Sequence, residues 1–144
     1  MNSNSNTTSF ATLTGTYPAT LLASGMAINT DTLVATGATN ASIVLDVLFR
    51  NLDTSNNVNF DIIICATGSN TIEQNNRVQM SVPASSGNNG GTPLASLAAQ
   101  VPLLFDIDLA GNRVLTLESG ISIYIRNKAA LAADVCVTVK QRNF

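Results

Sequence analysis

From Thr12 onward, short apolar runs alternate with clusters of turn-forming residues, and the apolar positions within the clearest runs recur every second residue. Successive side chains of a strand point to opposite sides, so this spacing predicts strands with one buried face. In Ala41–Arg50, Ile43, Leu45, Val47 and Phe49 fall on one face. Asn51–Asn57, rich in Asn, Asp and Ser, then reads as a loop. Val58–Cys65 follows, with Val58, Phe60, Ile62 and Ile64 inward and Asn59 and Asp61 outward. The same pattern predicts strands over Arg113–Glu118, over Ile121–Arg126 (Ile121, Ile123, Ile125) and over Asp134–Lys140 (Val135, Val137, Val139). Weaker candidates are Thr12–Thr16, Thr20–Ser24, Leu33–Thr36, Arg77–Val82 and Leu103–Asp106.

One segment changes period. Leu94, Leu97, Ala98 and Val101 are spaced as one face of a helix. Thr92 is placed to cap it, Pro93 to occupy its first position and Pro102 to end it, which predicts a helix of about two turns. Just before it, Ser85–Gly91 (SSGNNGG) is the stretch with most backbone freedom and is expected to be a mobile loop. Many short strands with frequent turn signals and one short helix predict an all-β fold, an antiparallel β-sandwich or barrel. About eight strands arranged as a jelly roll is the preferred architecture.

Residues 1–10 are almost wholly Asn, Ser and Thr, with too little apolar surface to offset their own ordering. The expected organisation is therefore a flexible N-terminal arm over 1–10 and a single β-sandwich domain over 11–144. No apolar run is long enough to cross a bilayer as a helix. The opening MNSNSNTTSF lacks the basic and apolar segments of a secretory signal, so the chain is expected to remain in the cytosol when made.

Charged residues make up only 11% of the 144-residue chain, against roughly 25% in an average soluble domain. Asn, Ser and Thr take their place, and so neutral a surface is expected to be covered by partners. The seven cations are scattered, and the closest grouping, Arg126, Lys128, Lys140 and Arg142, has Asp134 among it. With a net charge of −2, a nucleic-acid partner is not expected.

Histidine is absent, which removes the commonest general base, the usual partner of a nucleophilic Ser or Cys, and a favoured zinc ligand. Acidic residues such as Asp46 and Asp61 alternate with core positions and are read as the solvated faces of strands. Asp106-Ile-Asp108-Leu-Ala-Gly111-Asn112 opens like a calcium loop. However, Ala110 and Leu117 stand where ligands are needed, so a turn built on Gly111 is the reading. Cys65 and Cys136 fall opposite the main apolar stripes, with no zinc spacing, and are expected to be unreactive. No catalytic, cofactor or metal residues are assigned, and the chain is not expected to be an enzyme.

The run from Ser86 to Phe144, SGNNGGTPLASLAAQVPLLFDIDLAGNRVLTLESGISIYIRNKAALAADVCVTVKQRNF, resembles small virion proteins of tailed bacteriophages, the capsid decoration (cement) proteins. The resemblance lies in a short helix, a pair of strands in the pattern aGN…L.L.sG.sIy and a final strand with a basic-aromatic tail. It implies a structural virion protein that stabilises the phage head. It further implies a jelly-roll domain, a homotrimer, contact with the major capsid protein and other virion proteins, no membrane, and assembly in the host cytoplasm. It implies no catalytic residue and no cofactor. A virion-surface binding module or fibre attachment protein is the alternative, and a shell-forming coat protein stands behind both.

Overall fold

The structure, a computed structural model, describes residues 14–72 and 76–144. The arm expected over residues 1–10 lies outside the described residues, as do Thr12 and Leu13 of the first strand candidate. The strands are β1 (Thr14–Thr16), β2 (Ala19–Leu22), β3 (Asp31–Thr36), β4 (Ser42–Asn51), β5 (Val58–Ala66), β6 (Asn76–Val82), β7 (Ala95–Ser96), β8 (Asp106–Ile107), β9 (Arg113–Leu117), β10 (Ile121–Asn127) and β11 (Val135–Asn143). A single α-turn, α1 (Leu97–Gln100), and a 3-10 turn (Pro102–Leu104) separate β7 from β8.

The strands form two antiparallel sheets. In the first, β11 pairs with β4; β1 and β2 share the far edge of β11, β7 and β9 share the far edge of β4, and β8 lies outside β9. The second runs β3-β10-β5-β6. The pairing is nested: β2 with β11, β3 with β10, β4 with β9, and β5 with β6. A chain wound so that its outer strands pair with each other and its middle strands close on themselves is a jelly roll. The expected all-β sandwich is therefore what the sequence forms, with β1, β7 and β8 as short additions to eight principal strands.

The core lies between the sheets and follows the alternation. Val58, Phe60 and Ile62 of β5, Ile123 and Ile125 of β10, and Val135, Val137 and Val139 of β11 are all buried in it. Phe49 of the first sheet meets Phe60 of the second with ring centroids 5.4 Å apart, a tilted pair joining the two layers at the centre.

Four expectations are corrected. The first concerns the face of β4. Lys140 pairs with Asp46 but Gln141 pairs with Val44, so Leu45 is an extra residue in the strand. This bulge re-phases the alternation: Val44, Val47 and Phe49 point inward, while Ile43 and Leu45 are half-buried on the outer face. The second concerns the helix, which is one turn rather than two. Ala95 and Ser96 pair with Phe49 and Leu48 of β4, and sheet pairing claims the residues that would have begun the helix. Ser96, not Thr92, is the N-cap: its Oγ accepts the Ala99 N–H at 3.1 Å. Third, Leu103 and Leu104 lie in the 3-10 turn, not in a strand.

The fourth concerns Ser85–Gly91, which is pinned at several points. The Asn51 N–H donates to the Ser86 carbonyl, the Ser85 N–H to that of Asp53, and the Gly87 N–H to that of Thr92. The Asn89 side chain accepts from the N–H groups of Gly91 and Thr92.

Candidate functional site

The acidic side chains are mostly committed to holding the fold. Asp46 sits at the bulge of β4, where its carboxylate accepts the Ser96 hydroxyl at 2.6 Å and the Ala98 N–H at 3.0 Å. It thus ties the start of α1 to the sheet, rather than facing solvent as the alternation implied. Asp61 is buried on the outer face of the second sheet and pairs with Lys128 at 3.3 Å. Asp31 makes a two-pronged contact with the Arg126 guanidinium and accepts from the Asn70 amide. The Arg126 contact, with the Asn70 hydrogen bond, holds the Asp31 carboxyl below its ordinary range. Asp53 accepts from the Asn56 side chain and from the N–H groups of Ser55 and Asn56, which lowers its pKa. Asp134 accepts the Ser24 N–H.

The loop that opens like a calcium site folds as a turn. One oxygen of Asp108 accepts the N–H groups of Ala110 and Asn112, and Gly111 takes a φ of 85° that a side chain would resist. These hydrogen bonds, with that of Asn112 first, keep the Asp108 carboxyl below its ordinary range. Among the described residues no three His, Cys, Asp or Glu side chains come together in a metal-binding group.

The two cysteines are free and lie on opposite outer faces of the sandwich. Cys65, on β5, is buried with Ile63 and Tyr124. The Tyr124 hydroxyl accepts the Gly68 N–H at 2.8 Å, which draws the segment after β5 across this face. Burial, reinforced by the charge of Asp31, pushes the Cys65 thiol pKa up. Cys136 is half-buried on the outer face of β11, beside Leu21 and Arg50.

Among the described residues, exposed apolar side chains gather around the β8–β9 hairpin, in addition to Tyr17, Leu21 and Ile28 elsewhere on the surface. Leu103 is 97% exposed, Ile107 60%, and Leu109, in the hairpin turn, fully exposed. Beside them, on the outer face of the first sheet, Ile43, Leu45 and Val114 line a hollow of about 340 Å³, together with Arg113, Arg142 and, from the hairpin itself, Asp108 and Asn112. The hollow exists because β9 pairs with β4 only as far as Val44, while β7 takes up the pairing again at Leu48. The bulge at Leu45 falls in the gap. Sequence reasoning did not find this surface. Its one visible signal was Asp106-Ile107-Asp108-Leu109, an alternation with no core to face.

No family model matches this chain, and no curated protein matches it. Among solved structures, a chain of the Cyanophage Pam1 capsid asymmetric unit is similar with a TM-score of 0.45 and 15% sequence identity, over 92% of this chain and 86% of that one. The CBM22-1–GH10 modules of the Clostridium thermocellum endo-1,4-beta-D-xylanase 10B, complexed with xylohexaose, give a TM-score of 0.38 at 10% identity, over 89% of this chain and 26% of that one. Similarity at these levels assigns no role to the chain.

Proposed function

We propose that this chain is a structural virion protein of the capsid decoration type, which self-associates and clamps neighbouring subunits of a phage head. The observation that carries the reading is the division of labour among its side chains. Much of the polar chemistry of the sandwich is spent on its own turns, caps and ion pairs, while Leu109 in the β8–β9 hairpin turn and Leu103 in the 3-10 turn before it stand exposed. Apolar surface of that kind marks a place where another protein sits. The charge-poor composition and the resemblance of residues 86–144 to decoration proteins support the same reading. Its partners are then copies of itself and the major capsid protein, bound through buried area and not through covalent chemistry. It carries out no catalysis, and its place is the virion.

The test is co-sedimentation. Purified protein is mixed with phage heads that lack it, and saturable attachment at a fixed ratio to the shell protein is the expected result. Protein that stays in the supernatant at micromolar concentration would defeat the reading.

A further inference from the structure

We infer that Asn89 is a self-modification site: in the folded protein its side-chain amide is converted, without an enzyme, to an aspartyl or isoaspartyl carboxylate through a cyclic imide with Gly90. The inference is independent of the assembly reading above. Asn89-Gly90 is the one Asn-Gly pair in the sequence, and both residues are exposed.

The nucleophile is the Gly90 backbone nitrogen. Its N–H has no hydrogen-bond partner among the described residues, so no bond has to break before the nitrogen turns on its neighbour. Glycine puts no side chain in the way, and its φ of 73° is a conformation that other residues resist. The electrophile is the Asn89 amide carbon. Its Oδ1 accepts the Gly91 N–H at 3.0 Å and the Thr92 N–H at 2.9 Å. Both partners are donors, which fixes the amide oxygen, and not its nitrogen, towards them. When the Gly90 nitrogen adds to this carbon, negative charge gathers on Oδ1, where two backbone N–H groups already stand to meet it.

The leaving group is the amide nitrogen. The side-chain nitrogens of Asn51, Asn56, Asn70, Asn112 and Asn127 all donate hydrogen bonds. That of Asn89 has no partner among the described residues, so nothing holds it back. Nucleophile, electrophile and leaving group are thus all set for the same reaction.

The atoms balance without oxidation or reduction. The Gly90 nitrogen loses its proton and bonds to Asn89 Cγ; the Cγ–Nδ2 bond breaks, and ammonia leaves with that proton. Water then opens the imide at either carbonyl. Opening at Cγ leaves an aspartyl side chain, whereas opening at the main-chain carbonyl routes the backbone through Cβ and Cγ. Either product adds one negative charge beside Asn88, whose Oδ1 accepts from the Arg50 guanidinium at 3.2 Å.

The experiment uses the full chain, incubated at neutral and at mildly alkaline pH, with and without urea. Isoelectric focusing follows the charge, tandem mass spectrometry locates the altered residue, and methylation by isoaspartyl methyltransferase counts the isoaspartyl product. An acidic form changed at Asn89 is expected to accumulate in the folded protein, faster at the higher pH because the Gly90 N–H must lose its proton. The folded chain is expected to convert at least as fast as the chain in urea. Asn89→Gln keeps an amide but needs a larger ring, and Gly90→Ala places its Cβ in open space. Both variants are expected to stay folded by circular dichroism and to lose most of the acidic form. A folded rate well below the rate in urea overturns the inference, since the loop then shields the pair. So does conversion confined to other asparagines, or either variant acidifying at the wild-type rate.

Discussion

The side-chain amide of Gln100 hydrogen-bonds both backbone groups of Ser81: its oxygen accepts the Ser81 N–H at 3.0 Å, and its nitrogen donates to the Ser81 carbonyl at 2.7 Å. Ser81 lies on β6, the edge strand of the second sheet, so one side chain from the end of α1 stands where another strand would pair. Open edges invite further strands, and natural sheets blunt them. Replacing Gln100 with Ala frees both groups to water. We expect a loss of about 1 kcal/mol in stability, and earlier light scattering on heating than in the wild type. A variant that melts and scatters like the wild type would show that the amide protects nothing.

The loop after β3 supports two opposite expectations. A Cβ placed on Gly37 would lie 2.1 Å from the Glu118 carbonyl oxygen and 2.7 Å from that of Leu117, backbone atoms that cannot step aside cheaply. Gly37→Ala is expected to cost about 3 kcal/mol or more, at the upper end of overpacking changes. Four residues later Ala41 holds a φ of 85°, in the left-handed region that disfavours a side chain. Ala41→Gly is expected to gain about 1 kcal/mol by relieving that conformation. Thermal melts of the two variants should move in opposite directions, and a shift of the same sign in both would refute the pairing.

Acid sensitivity follows from the bond between Asp31 and Arg126. The folded carboxyl is held below its ordinary value of 3.8, so its contribution is fully present above the unfolded value and is lost as pH falls through the lowered folded value. Asp53 and Asp108 shift in the same direction and add to the same acid limb. Melting temperature is expected to fall between about pH 5 and about pH 3. Asp31→Asn should be less stable at neutral pH and show a shallower acid limb. With no histidine in the chain, no imidazole contributes a transition between pH 5 and pH 8. An Asp31→Asn variant with the wild-type acid limb would remove this group from the explanation.

The cysteines offer a chemical readout of the two outer faces. Cys136 is half-buried on the first sheet, whereas Cys65 is buried under Tyr124 with a raised thiol pKa. A thiol reagent is expected to modify Cys136 in the native protein and Cys65 only when the protein unfolds. Tyr124→Phe removes the hydroxyl that holds Gly68 and is expected to expose Cys65 to slow native-state labelling. Equal rates at both positions in the wild type would contradict the placement of that segment.

The strands with unbroken alternation could be read directly, because burial on one face is written into every second residue of Val58–Ile64, Ile121–Ile125 and Val135–Val139. The bulge could not. Inserting Leu45 leaves no mark in composition, and it moved Ile43 and Leu45 from the expected core face to the wall of the hollow. The helix was over-extended because Leu94 satisfies helical spacing, although Ala95 and Ser96 are drawn into the sheet by β4. Asp46 and Asp61 were correctly placed off the main stripe, but alternation says which face a residue takes and not what covers that face. A lysine from β10's end and the start of a helix supply the cover. The exposed hairpin was hidden for the same reason: Ile107 and Leu109 look like core until the core is seen to end before them.

The nested winding has a consequence for when the protein becomes competent. Among the nested pairs only the innermost, β5 with β6, joins strands near in sequence; each nested pair outside it closes a longer loop, and β11 completes the first sheet by meeting β1, β2 and β4 together. Folds dominated by such distant pairings form slowly, since chain closure must precede the contacts that reward it. A chain still emerging from the ribosome can shape the central hairpin, but it lacks the strand that carries Lys140 and Arg142 until residues 135–143 are free. Completion of the first sheet is therefore timed by translation: the outer face that carries Lys140 and Arg142 does not exist until the fold is nearly finished.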